Sequence, residues 1–262
     1  MLLHRNVEKR WADTHRFSAS EHRDGEENQG AKMSLAAVTI LKNMSGEHLR
    51  RLELGGTILE PRDGTTLFAQ GDPADAVFAI IAGDGHIRVG SVDRHSKALM
   101  VEVFRTGEIF GEIGVIDGGS RTAAAVTEGK VRLLKIRGAA FLAALATSPE
   151  LGDALCRMMA RRLRRTFELF QDATFNTMEA RLARQILYLS SRGGRQTPQG
   201  IRLADRLRQG DLADLLGTTT RSIITTLNAW RAAGLVLYDT DRALLTVCDV
   251  ARLQSIVEPD RA

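Results

Sequence analysis

The stretch 110–125, FGEIGVIDGGSRTAAA, places one acid, Glu112, and one arginine, Arg121, among small or apolar side chains. Charges in such a setting are costly unless something compensates them. Two arrangements would do so. The two side chains could form a structural ion pair, or they could hold a ligand that carries a hydroxyl for the carboxylate and an anionic group for the guanidinium.

The residues around this acid and this arginine favour a ligand. Gly111 has no side chain, so the backbone there can approach another group closely. The run from Arg121 through Thr122 to Ala123 joins a fork-shaped cation, a hydroxyl donor and a small side chain. Such a combination suits a phosphate held near the start of a short helical turn.

The residues on either side, from about 41 to 137, form short apolar runs separated by glycine and aspartate. Runs of this kind, with turns every 8 to 12 residues, are typical of a β-barrel or β-sandwich. The pattern therefore predicts a mostly β domain that contains the stretch 110–125.

The spacing of apolar residues changes at Pro149. Apolar residues recur every three or four positions from there, with no further proline or glycine after Gly152 up to residue 190, which predicts a long helix, broken near Asn176, and then another. An apolar stripe on a helix that leaves a domain with its own core favours a dimer contact, and packing on the helix's own barrel is the alternative. The predicted stripe consists of Leu155, Met159, Leu163, Phe167 and Phe170.

The last third contains two helical patterns on either side of Gly217, after a predicted loop at 191–200. A tight turn between helices needs a residue without a side chain, so the pattern predicts a helix-turn-helix. The apolar runs at 235–247 predict a two-stranded wing after it. The second helix has a polar face rich in threonine, which is a weak helix former, and this composition favours DNA reading over simple solvation. The candidate DNA contacts are Thr219, Thr220, Arg221, Thr225 and Asn228.

Composition sets wider limits. The 262 residues carry 36 Lys and Arg against 32 Asp and Glu, with a pI of about 9.4, which permits an acidic partner without requiring one. Cys156 and Cys248 are too few and too far apart for a disulfide framework or an iron-sulfur cluster, so we expect a reduced, cytoplasmic protein.

We expect no membrane segment in this chain. Residues 1–32 have no regular apolar period and are predicted to be a flexible extension.

The motifs FGEIG and SRTAAA, followed by a long helix and by GTTTRSIITTLNAWRAAGLV, resemble those of the cyclic AMP receptor protein and fumarate-nitrate regulator (CRP/FNR) superfamily. The resemblance covers residues 34–256. It implies an α+β chain with an N-terminal cyclic-nucleotide-binding β-barrel of the jelly-roll type, a long dimerisation helix and a C-terminal winged helix-turn-helix. The corresponding domains are the extension 1–32, the β-roll 33–148, the dimerisation helix 149–177 and the DNA-binding domain 178–262.

The resemblance also implies roles for residues. Glu112 would accept the ribose 2′-hydroxyl, and Arg121 and Thr122 would bind the cyclic phosphate. Arg162 and Thr166 would be candidates for contact with the purine. Related cyclic AMP binders often carry a small polar residue where this chain has Phe167, which leaves the base preference open between adenine and guanine. The candidate ligand-binding residues are Gly111, Glu112, Ile113, Arg121, Thr122, Ala123, Arg162 and Thr166.

In the DNA-reading helix the family pattern of arginine, glutamate and arginine is replaced by Thr220, Arg221 and Thr225. Each bidentate base contact contributes roughly 1 to 3 kcal/mol of discrimination, so the resemblance predicts an operator that differs from the family's usual one.

The resemblance implies a homodimeric transcription regulator with operator DNA as partner, RNA polymerase as a candidate partner and cyclic AMP as effector. The alternatives are the same fold with cyclic GMP, another small molecule or no ligand. We expect no catalytic residue, metal or bound cofactor. A hydrolase with Glu112 as base would lack a metal cluster or paired carboxylates, and haem would need axial ligands such as His86 or His95, although a lone histidine in a hairpin is usually only exposed.

Overall fold

The computed structural model describes Leu35, residues 38–92 and residues 98–258. The chain forms two compact units that divide between Arg162 and Leu163. The predicted extension 1–32 lies outside the described residues, as does His95. Among the helices described, none combines the length and the apolar character needed to cross a membrane.

The strands of the first unit are β1 (Gly56–Leu59), β2 (Thr66–Phe68), β3 (Ala76–Gly83), β4 (His86–Val92), β5 (Ala98–Phe104), β6 (Ile109–Phe110), β7 (Ala124–Glu128) and β8 (Val131–Arg137). They form two antiparallel sheets of four strands each, ordered β1-β8-β3-β6 and β2-β7-β4-β5. Both sheets contribute side chains to one core, in which the Phe78 and Phe110 rings stack with centroids 5.2 Å apart and Phe104 stacks on Phe110 at 5.7 Å.

A second core lies where helices cover β3 and β8. Val77 and Ala79 of β3 alternate with the residues that enter the first core, so this sheet is buried on both faces. The helices of this unit are α1 (Gly46–Leu54), α2 (Ile113–Asp117), α3 (Gly138–Thr147) and the first half of α4 (Pro149–Phe175).

Helix α1 is a departure from the strand pattern predicted for 41–137. It begins after Ser45, whose side chain accepts a hydrogen bond from His48 N, and it buries Leu52 completely. Its sequence, GEHLRRLEL, has three leucines among four charged residues, so its apolar period is too short to be recognised.

The predicted long helix and its break near Asn176 are confirmed. Helix α4 begins at Pro149 and ends at Phe175. Proline suits the first position of a helix, because the backbone N–H that it lacks would have no partner within the helix there. Helix α5 (Met178–Gly193) follows at once, and the Thr177 hydroxyl accepts from Ala180 N at its start. The prediction for Leu155 is wrong: it does not belong to the exposed stripe but is buried in the second core. The other four stripe residues are exposed.

The second unit is built on α5, α6 (Gln209–Leu216), α7 (Thr220–Ala232) and α8 (Val250–Val257). Gly217 has a φ of 59°, in the left-handed region that favours glycine, and it ends α6 as predicted. Strands β11 (Val236–Asp239) and β12 (Leu244–Val247) form the predicted wing. The predicted loop 191–200 is only partly a loop, because β9 (Arg195–Thr197) and β10 (Gly200–Arg202) form a hairpin that pairs with β12.

The α+β class and the order of a β-rich unit, a long helix and a winged helix-turn-helix are confirmed.

Tyr238, on β11, provides a test of packing in the second unit. Its hydroxyl donates to Leu207 O at 3.0 Å, and burial, followed by the carboxylate of Asp211, raises the pKa of Tyr238 to about 12. The pKa of an unfolded tyrosine is about 10. As the pH rises, the unfolded chain therefore loses the phenol proton at a lower pH than the folded chain does. The contribution of Tyr238 to the free energy of unfolding is present below pH 10 and is lost as the pH rises towards 12.

We expect Tyr238→Phe to lower the free energy of unfolding by about 1 kcal/mol at neutral pH.

Urea unfolding at about pH 8 and about pH 11 checks this prediction. The difference between wild type and Tyr238→Phe should shrink at the higher pH. Tyr188→Phe, which changes the chain's other tyrosine, should leave the alkaline loss unchanged. A difference for Tyr238→Phe that is the same at both pH values would contradict the assignment.

Candidate functional site

The stretch 110–125 forms a strand end, a short helix and a return to a strand. Gly111 follows β6 with a φ of 77°, and Glu112 stands at the N-cap of α2, which ends at Gly118 in the left-handed region. A Cβ built at Gly111 would lie 2.8 Å from Arg121 Nη1. Glycine is therefore required at 111 by its backbone angle, and the group that approaches it closely is the Arg121 guanidinium.

Arg121 is buried, with 4% of its surface exposed. Its Nη1 donates to Gly111 O at 2.7 Å, and its Nη2 donates to Ala76 O at 2.8 Å and approaches Asp75 Oδ1 at 3.4 Å. The guanidinium also lies 4.2 Å from the centroid of the Phe68 ring. The cation is thus held by backbone carbonyls, an aromatic face and one long contact with a carboxylate.

The charge of Arg121 is only partly compensated. Burial lowers the pKa of Arg121, and the carboxylates of Asp75 and Asp72 oppose this effect only in part. Its Nε is buried and has no hydrogen-bond partner among the described residues. A buried N–H without a partner costs roughly 1 to 3 kcal/mol, so an incoming anion would satisfy both the charge and the donor.

Glu112 does not pair with Arg121. Its side chain is 2% exposed, and its Oε1 accepts from Arg162 Nη1 at 2.5 Å. Arg162 also donates through Nη2 to Ile109 O at 2.6 Å and lies 4.7 Å from the Phe104 ring centroid. Arg162, predicted to reach a purine, therefore joins α4 to the strand end and the acid of the stretch 110–125.

The remaining candidate ligand residues differ in their surroundings. Thr122 and Ile113 are exposed, whereas Ala123 is buried. Thr166 is exposed and lies one helical turn beyond Arg162 on α4, in the second unit.

Three groups that hold Arg121 were not predicted from the sequence. Phe68 is the last residue of β2, Asp75 lies in the connection between β2 and β3, and Ala76, the first residue of β3, contributes only a carbonyl. The acid in PADAV, directly before a buried strand, is the one signal that could have pointed to this connection.

His86, on β4, belongs to a separate cluster of polar side chains that includes Arg88 of β4 and Glu128 of β7. Its Nε2 is 2.9 Å from Glu128 Oε2, and Arg88 Nη1 is 3.4 Å from the same oxygen. Burial would raise the pKa of Glu128, but the hydrogen bond with His86 and the charge of Arg88 outweigh burial and lower it. His86 is thus placed as the partner of a carboxylate.

Helix α7 presents the predicted polar face. Its inner face buries Ile223, Leu227 and Trp230, and on its outer face lie the exposed residues Thr220, Arg221, Thr225 and Asn228. Thr219 caps the helix, since its hydroxyl accepts from Ser222 N at 3.2 Å. Thr225 Oγ1 donates to Arg221 O at 3.0 Å. Side chains on an exposed helix face of this kind can reach base edges in a DNA major groove.

Two family models match the chain. The cyclic nucleotide-binding domain matches residues 59–148, which include the whole stretch 110–125. The Crp-like helix-turn-helix domain matches residues 180–256.

Named relatives and solved structures agree with these matches. The CRP-like cAMP-activated global transcriptional regulator of Mycobacterium tuberculosis is 32% identical over 168 residues, 63% of this chain and 74% of that protein. The cyclic AMP receptor protein of Thermus thermophilus is 27% identical, over 66% of this chain and 76% of that protein. The fold is similar to that of the c-di-GMP responsive global regulator CLP of Xanthomonas campestris, with a TM-score of 0.67 and 22% identity over 78% of this chain and 100% of that chain. It is also similar to that of FixK2 of Bradyrhizobium japonicum, with a TM-score of 0.67 and 18% identity over 77% of this chain and 96% of that chain.

The two matched domains, their order along the chain and the 32% identity to a CRP-like regulator show that this chain belongs to the CRP/FNR family of transcription regulators, which are not enzymes.

Proposed function

We propose that this chain is a homodimeric regulator whose binding to operator DNA is controlled by cyclic AMP, held in the first unit beside Arg121. In this proposal residues 33–148 form the sensor, 149–177 the dimerisation helix and 178–262 the DNA-binding domain. The protein acts in the cytoplasm, with RNA polymerase as a candidate partner. The M. tuberculosis relative is named as cAMP-activated, which supports the choice of effector.

The observation that carries the proposal is the incompletely compensated cation of Arg121. Its desolvation, its Nε without a partner and its long contact with Asp75 leave it ready to bind an anion. A cyclic phosphate offers charge and acceptor oxygens together, and guanidinium binds such groups through two parallel hydrogen bonds. Exposed Thr122 is the next residue and adds a hydroxyl donor.

The pairing of Glu112 with Arg162 supports allosteric control. A carboxylate can accept from a ribose hydroxyl and from Arg162 at once. A ligand at Glu112 would therefore act on a contact that belongs to α4, and α4 continues into the second unit. The ligand shifts the DNA-binding equilibrium by the difference in its affinity for the two arrangements, and operator DNA tightens ligand binding by the same factor.

A specific observation also favours a second candidate, a regulator of the same family that works without a nucleotide. Both Arg121 and Glu112 already have partners within the chain, namely the Gly111 and Ala76 carbonyls and Arg162. The first candidate requires the ligand to compete with these contacts, and the second does not.

Calorimetry with cyclic AMP separates the two candidates. We expect wild type to bind, and we expect Arg121→Gln to bind at least about 100-fold more weakly, because two charge-assisted hydrogen bonds of roughly 1.5 to 3 kcal/mol each are lost. Arg132→Gln is the matched control, since Arg132 pairs with Glu60 outside the stretch 110–125 and its loss should leave the affinity unchanged.

If wild type bound neither cyclic AMP nor cyclic GMP, the ligand-free candidate would replace the first. Equal affinities of wild type and Arg121→Gln would remove Arg121 from the site.

The dimer is proposed from the exposed apolar stripe of α4. The stripe consists of Met159, Leu163, Phe167 and Phe170, which are 36%, 58%, 60% and 67% exposed and lie three or four residues apart on one helix face. An apolar face of this size on a soluble helix marks an interaction surface, and a second copy of α4 offers a face of matching chemistry.

We expect Phe167→Glu to weaken dimerisation by at least about 100-fold, since burial of an aromatic side chain contributes about 2 kcal/mol and the change occurs twice in a two-fold dimer. Sedimentation equilibrium measures the dimer Kd. Leu54→Glu, a change of an exposed leucine on α1, is the control and should have no effect. A monomeric wild type, or a Phe167→Glu variant with an unchanged Kd, would refute the α4 interface.

A further inference from the structure

The exposed face of α7 carries one large apolar side chain that the polar motif does not include. Ile224 is 37% exposed, whereas its neighbour Ile223 is fully buried in the core of the second unit. Ile224 follows Arg221 by three residues and precedes Asn228 by four, so all three share the outward side of the helix. The face therefore offers a cation, an amide and an aliphatic group side by side.

Helix stability does not account for isoleucine at this position. On an exposed helix surface, alanine, glutamate or lysine stabilises the helix more than a β-branched residue does. Ile224 is not part of the hydrophobic core of the second unit, which on this helix takes in Ile223, Leu227 and Trp230. Its aliphatic surface is thus directed away from the core, among the groups proposed to read DNA.

The major-groove edge of DNA carries one apolar group that differs between bases, the 5-methyl group of thymine. Arginine and asparagine find hydrogen-bonding partners on guanine and adenine, but an aliphatic side chain finds a favourable contact only with this methyl group. We propose that Ile224 is a specificity-determining residue that reads a thymine methyl group in each half of the operator. This inference rests on the proposed DNA-reading function of α7 and extends it to a residue and a base.

The test begins with the full chain and a random-sequence duplex library, with and without cyclic AMP, to obtain a duplex that wild type binds. Each thymine of that duplex is then replaced singly by deoxyuridine, which pairs identically but lacks the methyl group. We expect one thymine per half-site at which the replacement weakens wild-type binding by about fourfold, the factor that corresponds to burial of one methylene-sized group. Replacement in both half-sites should weaken binding by about 16-fold, since separate positions act additively.

The variant Ile224→Ala should bind the thymine and deoxyuridine duplexes equally well. Alanine favours the helix more than isoleucine does, so the fold is not weakened. Leu237→Ala, which removes an exposed aliphatic side chain from β11, is the matched control and should keep the fourfold preference of wild type.

The outcomes separate this inference from the function on which it rests. If no duplex is enriched in either condition, DNA reading fails and the role of Ile224 fails with it. If a duplex is enriched but no thymine is sensitive to loss of its methyl group, or if the sensitivity persists in Ile224→Ala, the role of Ile224 is refuted while DNA reading stands.

Discussion

The first unit depends on the burial of one guanidinium whose charge is not fully balanced. Arg121 lies under Phe68 and donates to the carbonyls of Gly111 and Ala76, with a carboxylate only at the edge of hydrogen-bond range. Carbonyl dipoles and an aromatic face lower the cost of burying this cation but do not neutralise it. A structural role alone would be served better by a close carboxylate, and this supports the proposal that Arg121 binds an anion.

Helix α4 has side-chain contacts within each of the two units. Arg162 fixes Glu112 to the first half of α4, and in the second unit Arg165 of α4 donates to Gln185 of α5. Helix α5 is joined in turn to α7, because Trp230 Nε1 donates to Glu179 Oε1 at 2.8 Å. In the proposed mechanism, these contacts and the continuous helix α4 would allow a ligand at Glu112 to influence α7.

The sequence predicted what depends on short-range patterns and missed what depends on packing. The break near Asn176 and the turn at Gly217 follow from local residue chemistry, and both are present. The burial of Leu155 could not be predicted, because the apolar period of a helix does not reveal which of its turns meets a domain core. Likewise the hydrogen-bond partners of Arg121 and Glu112 lie up to 50 residues away along the chain, so only the folded structure brings them together.

A crystal structure of the wild-type protein grown with cyclic AMP tests the central claim most directly. We expect phosphate oxygens within about 3 Å of the Arg121 guanidinium and of Thr122, with the ribose at Glu112. A nucleotide bound elsewhere, or an Arg121 that keeps the Gly111 and Ala76 carbonyls as its hydrogen-bond partners at saturating ligand with no phosphate beside it, would contradict the account.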